Sequence, residues 1–207
     1  SSQFNGWFNF NETEQRLVIA LGLSAGFAGV FGTPLAGALF ALEVVYFSKI
    51  NYKSVVLSFA VAYTAYYTVE FWQVQHTQYS IPILPEINGI NLLWTIGTAT
   101  LFGLAAMLFS RTTHFWNQLF SKFIHFAPIR PLVGGTVLAI IIYSIETTKY
   151  IGLGVPEIAN AFSTPNKSYD FLLKILFTGF TLGAGFKGGE VTPLFFVGAT
   201  LGSALSG

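Results

Sequence analysis

The 207-residue sequence contains no cysteine, and only 9% of its residues are charged. Without cysteine there are no disulfides, thiolate nucleophiles or zinc–thiolate sites, and the redox compartment leaves no mark. Soluble domains carry about 25% charged residues, so this chain is poorly equipped to face water. Ten basic and nine acidic side chains leave a formal net charge of +1. No basic field exists to hold nucleic acid, which excludes that partner. Residues 1–10 also lack the basic stretch and apolar core of a signal peptide.

What is present is apolar. Hydrophobic residues make up 53% of the chain, with 22 phenylalanines and a mean hydropathy of +0.60. That composition suits lipid, where polar side chains are costly and each backbone polar group must be satisfied within the protein. The fold class is therefore an all-α membrane protein, with the bilayer as its first partner. The chain ends in apolar sequence at Gly202–Gly207, and we read it as one piece, 1–207, of a larger membrane core.

A membrane helix needs about 20 mainly apolar residues. The uncharged run from Leu17 to Leu42 is interrupted by Gly32-Thr33-Pro34, and proline starts helices far better than it continues them. Two half-helices, 17–31 and 34–47, are expected there. Further spans are expected between Lys53 and Glu70, from Ile87 to Ser110, from Pro131 to Ile145 and from Tyr169 to Phe186. A last half-span should begin at Pro193. Two segments do not read as crossings. Residues 111–126 read as a continuation of the third span lying along the cytoplasmic surface. Gly152-Leu153-Gly154-Val155-Pro156 opens a piece to about Phe162 that is too short to cross.

Loop charges set the orientation. Lys49 and Lys53 lie in one loop without acids, Glu70 and Glu86 in the next without bases, then Arg111, Lys122 and Arg130 without acids. Loops 48–53 and 111–130 are thus cytoplasmic and the others face outward. Glycines four apart (Gly22/Gly26, Gly185/Gly189, Gly198/Gly202) suggest close helix packing, a pattern common to membrane bundles.

Several motifs compete for a functional role. Gly22-Leu23-Ser24-Ala25-Gly26 matches the nucleophile elbow of hydrolases, but that elbow needs a strand-to-helix turn and a histidine base. Here it sits inside an apolar helix, so close packing is the better reading. Gly183-Ala184-Gly185-Phe186-Lys187-Gly188 matches a dinucleotide fingerprint without the strand before it or the acid about 20 residues later. A glycine-rich turn before a helix nevertheless leaves N–H groups free to face an anion. The glycosylation sequons at Asn11 and Asn166 read as chance. Glu43 reads first as structural, pairing with Lys49 or with backbone N–H groups, and second as a proton acid.

Glu190 is the sharpest anomaly, an acid at a helix start flanked by apolar sequence. An intramembrane carboxylate is a functional hypothesis by default. The helix dipole there favours negative charge, so carboxylate and permeating anion should compete for it. The bland alternative is a capping acid paired with Lys187.

Ala25-Gly26-Phe27-Ala28-Gly29-Val30-Phe31-Gly32-Thr33-Pro34, continuing to Glu43, resembles the paired short helices of the CLC family of chloride channels and proton-coupled anion antiporters. Gly188-Gly189-Glu190-Val191-Thr192-Pro193 resembles that family's G-G-x-x-x-P turn, and the similarity extends over all 207 residues. The resemblance implies a bundle of tilted, broken and re-entrant helices, covering about the middle half of the family's membrane core. It implies a homodimer with helices 34–71 near the interface, no enzymatic activity and no cofactor beyond the transported ions. Location in a bacterial inner membrane follows from the same likeness.

Two departures narrow the branch. Chloride/proton antiporters of the family have two consecutive acids after the first motif, whereas here Val44 follows Glu43. The turn is most similar to that of the fluoride/proton antiporters. The resemblance carries roles to Glu190 and Thr192 only; with the amides of the turn, the expected anion-binding set is Gly189, Glu190, Val191 and Thr192, with proton transfer by Glu190 and Glu43 as a possible second acid. Fluoride export coupled to proton import is the expected function, with a chloride channel or chloride/proton exchanger as the alternative. The family's gating glutamate should precede residue 1, and its coordinating tyrosine should follow Gly207.

Overall fold

The computed structural model describes residues 10–45, 51–76, 86–163 and 166–206, and among these every regular element is a helix. The chain forms two compact units, Ser1–Gln78 and Tyr79–Gly207, described in turn.

The first unit holds α1 (Glu12–Phe31), α2 (Pro34–Val45) and α3 (Tyr52–Phe71). Asn11 starts α1 through a reciprocal cap: its side chain accepts from the Glu14 N–H at 2.9 Å, and its own N–H donates to the Glu14 carboxylate at 3.0 Å. Two donors orphaned by the helix start are thereby satisfied. The break falls where the glycine–proline pair places it. Gly32 ends α1 in the left-handed region at φ 67°, and Pro34 opens α2, each residue in the position its backbone favours. The break frees the Gly29 carbonyl, whose helical donor would be Thr33. His76 Nε2–H donates to that carbonyl at 2.9 Å. The imidazole thus acts as a cap over the break, and its ring is also what a side chain at Gly32 would strike.

Small residues let α1 and α2 touch backbone to backbone. A Cβ at Gly37 would stand 2.9 Å from the Ala28 nitrogen and 3.0 Å from the Ser24 carbonyl oxygen. Ala28, Ala38 and Ala62 form the cluster at the crossing, with Phe59 packed on it. Main chain cannot move aside as a flexible side chain can. Gly37→Val is expected to destabilise the protein by roughly 3 kcal/mol by forcing these helices apart, read as a fall in melting temperature of detergent-solubilised protein.

The second unit holds α4 (Gly89–Phe123), α5 (Ile129–Ile145), α6 (Val155–Asn160), α7 (Asp170–Gly183) and α8 (Val191–Leu205). At 1.5 Å per residue, the 35 residues of α4 extend about 52 Å, well beyond a hydrocarbon core of about 30 Å. The continuation of the third span expected over 111–126 runs without a break as far as Phe123, and it packs against α7. Thr112 fits against Gly179, Trp116 and Asn117 fit against Gly183, and the Phe180 ring meets those of Trp116 and Phe120 at 4.8 and 5.3 Å. Glycines one turn apart on α7 receive bulky residues one turn apart on α4, and that match outweighs the amphipathic pattern of the segment. Arg130 then ties α5 to the end of α4, donating to the Ile124 carbonyl at 2.8 Å and the Ser121 hydroxyl at 3.0 Å.

The glycine pairs expected to carry close packing do not do so among the described residues. A Cβ at Gly22, Gly26, Gly189 or Gly198 would meet nothing, and one at Gly185 or Gly202 only an ordinary contact. Close approach falls instead to Gly37, Gly134, Gly179 and Gly183. Spacing marks a face of a helix; only a partner decides whether the face is used.

The distribution of polarity inverts that of a water-soluble protein. Trp94, Leu132 and Tyr143 are exposed at 73%, 70% and 86%, while Asp170 and Lys174 are buried at 0% and 1%. Among the described residues two helices, α1 and α4, are long and apolar enough to cross a membrane.

Candidate functional site

The glycine-rich turn between α7 and α8 places the predicted residues together. Gly185 adopts φ 91°, a conformation open to glycine and strained for other residues, and it redirects the chain as α7 ends. From Lys187 to Thr192 no backbone N–H donates a hydrogen bond to the described main chain. These donors include the orphan amides that every helix start presents. They precede Pro193, which has no N–H to offer. The first bond of α8 is from Leu194 N–H to the Glu190 carbonyl at 3.1 Å.

Glu190 occupies the N-cap position but makes no side-chain cap. It is exposed, and among the described residues it has no ion pair, with Lys187 or any other base. The capping acid paired with Lys187 is therefore not what the structure contains. Gly189 has open space where a side chain would stand. Val191 and Thr192 are half-buried at the helix mouth, and the Thr192 hydroxyl makes no hydrogen bond among the described residues. Free amides, a free hydroxyl and a free carboxylate thus share one helix start. The arrangement can hold a small anion by hydrogen bonds alone, and protonation of the carboxylate would remove the competing charge.

Glu43 belongs to the first unit, exposed near the end of α2. Its suggested partner Lys49 lies outside the described residues, as does much of loop 48–53.

Behind α8 lies a polar network that sequence reasoning missed. The Asp170 carboxylate accepts from Lys149 Nζ at 2.6 Å, from the Tyr150 hydroxyl at 2.6 Å and from the Lys167 N–H at 3.1 Å. One turn further along α7, Lys174 Nζ donates to the Tyr150 carbonyl at 3.2 Å and the Gly152 carbonyl at 2.8 Å. It also stands over the Phe196 ring of α8, 4.8 Å from its centroid. Gly154, at φ 70°, admits Phe196 where a side chain would collide. Burial, then the hydrogen bond to Asp170 and its charge, push the Tyr150 phenol well above its usual range. In the sequence, Lys149 and Asp170 stand only as two of the mixed charges in the connection after Ile145. The available signal was their spacing around Tyr150, which has meaning only once α7 is docked.

The rival sites lack their machinery. Ser24 is fully buried, and its hydroxyl has no partner among the described residues. The histidine of the same unit, His76, is engaged with Gly29. Of the two sequon asparagines, Asn11 caps α1 through its Oδ1, while Asn166 accepts from Lys149 Nζ at 3.4 Å and keeps its Nδ2 buried, without a partner among the described residues. Among the described residues no group of three or more His, Asp or Glu side chains could hold a metal ion.

The whole chain, residues 1–207, matches the voltage-gated chloride channel family, Voltage_CLC. The protein belongs to the CLC family. A chloride/fluoride channel protein of Pseudomonas syringae pv. tomato is 39% identical over 212 residues, covering 100% of this chain and 47% of that protein. An H(+)/Cl(-) exchange transporter ClcA of Vibrio cholerae is 26% identical, over 94% of this chain and 43% of its own length. Among solved structures, a CLC-type fluoride/proton antiporter superposes with a TM-score of 0.88 at 29% identity, covering 97% of this chain and 51% of that one. The chain thus spans about half the length of the CLC proteins it matches. The broken α1–α2 pair and the half-span α8 are the CLC-type elements that the sequence led us to expect, and α6 is the piece expected to be too short to cross.

Proposed function

We propose that this chain carries part of the ion pathway of a CLC transporter that exports fluoride in exchange for protons. The carrying observation is the start of α8, where consecutive free amides adjoin an uncapped, unpaired Glu190. In this reading the amides around Gly189, Val191 and Thr192, with the Thr192 hydroxyl, hold the anion, and Glu190 exchanges protons. Fluoride is a small, strong hydrogen-bond acceptor and suits a site made of donors. Val44 in place of a second acid supports a single proton-handling group at the turn. Glu43, exposed on α2, is the second candidate. The similarity to a fluoride/proton antiporter structure and to a chloride/fluoride channel protein supports the same assignment. The assembly is a homodimer in a bacterial inner membrane, with loops 48–53 and 111–130 facing the cytoplasm, and it performs no enzymatic step.

Flux from liposomes containing the full-length protein tests the substrate. Fluoride efflux should exceed chloride efflux and should move protons in the opposite direction. Preference for chloride would assign the protein to the chloride channels or exchangers instead.

A further inference from the structure

The buried amine of Lys174 is not explained by anchoring alone. Its partners are two carbonyls and an aromatic face, none of which carries a negative charge. On an isolated helix the residue four positions earlier, Asp170, would be its natural partner. That carboxylate is already taken by Lys149, Tyr150 and the Lys167 amide. Glu157 on α6 is the acid whose field reaches Lys174, but no ion pair forms between them. Burying an uncompensated cation is costly, and a neutral side chain would fill the same space at less cost. The ring of Phe196 offsets only part of it.

The position of this charge suggests its use. Phe196 lies five residues into α8, about 7.5 Å along the axis from Val191, and the amine sits against that ring. Lys174 is therefore on the order of 10 Å from the free amides at the start of α8. At an effective dielectric constant of about 20, a unit charge at that range changes anion occupancy roughly tenfold.

We propose that Lys174 is a fixed, uncompensated positive charge beneath α8 that raises the affinity of the α8 entrance for a small anion. The inference rests on the transport reading above and adds a residue that sets affinity without touching the ion. Glu157 would then act in the opposite sense, damping the field.

The test uses the full-length protein in liposomes, with fluoride and chloride as probes, and compares Lys174→Met, Lys174→Arg and Glu157→Gln with the wild type. Lys174→Met should raise the half-saturating anion concentration roughly tenfold with a smaller change in maximal rate. Lys174→Arg should stay near the wild-type value, and Glu157→Gln should lower it. An unchanged half-saturation in Lys174→Met would overturn the proposal. So would equal losses of maximal rate in the Met and Arg variants with affinity intact, which is the signature of a packing role. Should Lys174→Met fail to assemble, Glu157→Gln decides alone, and no fall in its half-saturation overturns the idea. Wild-type protein that carries neither halide would instead remove the transport reading itself.

Discussion

Glu190→Gln in the full-length protein is expected to abolish proton counterflow while leaving the fold intact. Glutamine matches glutamate in size and keeps hydrogen-bonding capacity, but it cannot release or accept a proton in this pH range. The side chain makes no cap, ion pair or buried contact that its replacement would break. Loss of function therefore cannot be attributed to loss of structure. Proton movement driven by an anion gradient should fall to the level of empty liposomes, and any remaining anion flux should lose its dependence on pH. The glutamine is neutral at every pH, so it should imitate the protonated wild type. Measuring proton uptake and anion efflux in the same vesicles separates the outcomes. Full proton coupling in the variant would show that Glu190 is not the proton carrier and would return attention to Glu43 or to residues outside this chain.

Asp170→Ala should be the most destabilising single change in the second unit. The carboxylate is completely buried and satisfies three donors at once. Its removal leaves the Tyr150 hydroxyl without its acceptor and the largely covered Lys149 amine with only the long 3.4 Å bond to Asn166 Oδ1. Breaking a buried ion pair from one side costs about 3–5 kcal/mol, because the surviving partner stays desolvated. Tyr150→Phe removes one hydrogen bond and nothing else, and should cost about 1 kcal/mol. The predicted order of melting temperatures in detergent is wild type, then Tyr150→Phe, then Asp170→Ala. A Tyr150→Phe variant less stable than Asp170→Ala would mean that the carboxylate is not the hub of this network.

Parts of this architecture were legible because they depend on local chemistry. Gly32 and Pro34 break a helix whatever surrounds them, since one needs a positive φ and the other lacks a donor. The glycine-rich turn before α8 and the brevity of α6 were readable for the same reason. Other features depend on partners far along the chain. The segment 111–126 has the pattern of a surface helix, yet Gly179 and Gly183 draw it against α7. The pairs at Gly22/Gly26 and Gly198/Gly202 have the spacing of packing motifs, yet within the described residues none of them makes a close approach.

By itself, then, the sequence determined that this is a helical membrane protein with a broken helix near one end and a glycine-rich helix start carrying Glu190. These follow from side-chain transfer energies and backbone restrictions, which act within a few residues. Only the tertiary structure decided which charges are inside. Nothing in the sequence distinguishes Lys149, Asp170 and Lys174 from other charges, but docking of α7 against the 149–154 connection and α8 buries Asp170 and Lys174 and engages Lys149. Burial is a property of distant surfaces brought together, and it turned two unremarked residues into the anchor and the electric field of the α8 entrance.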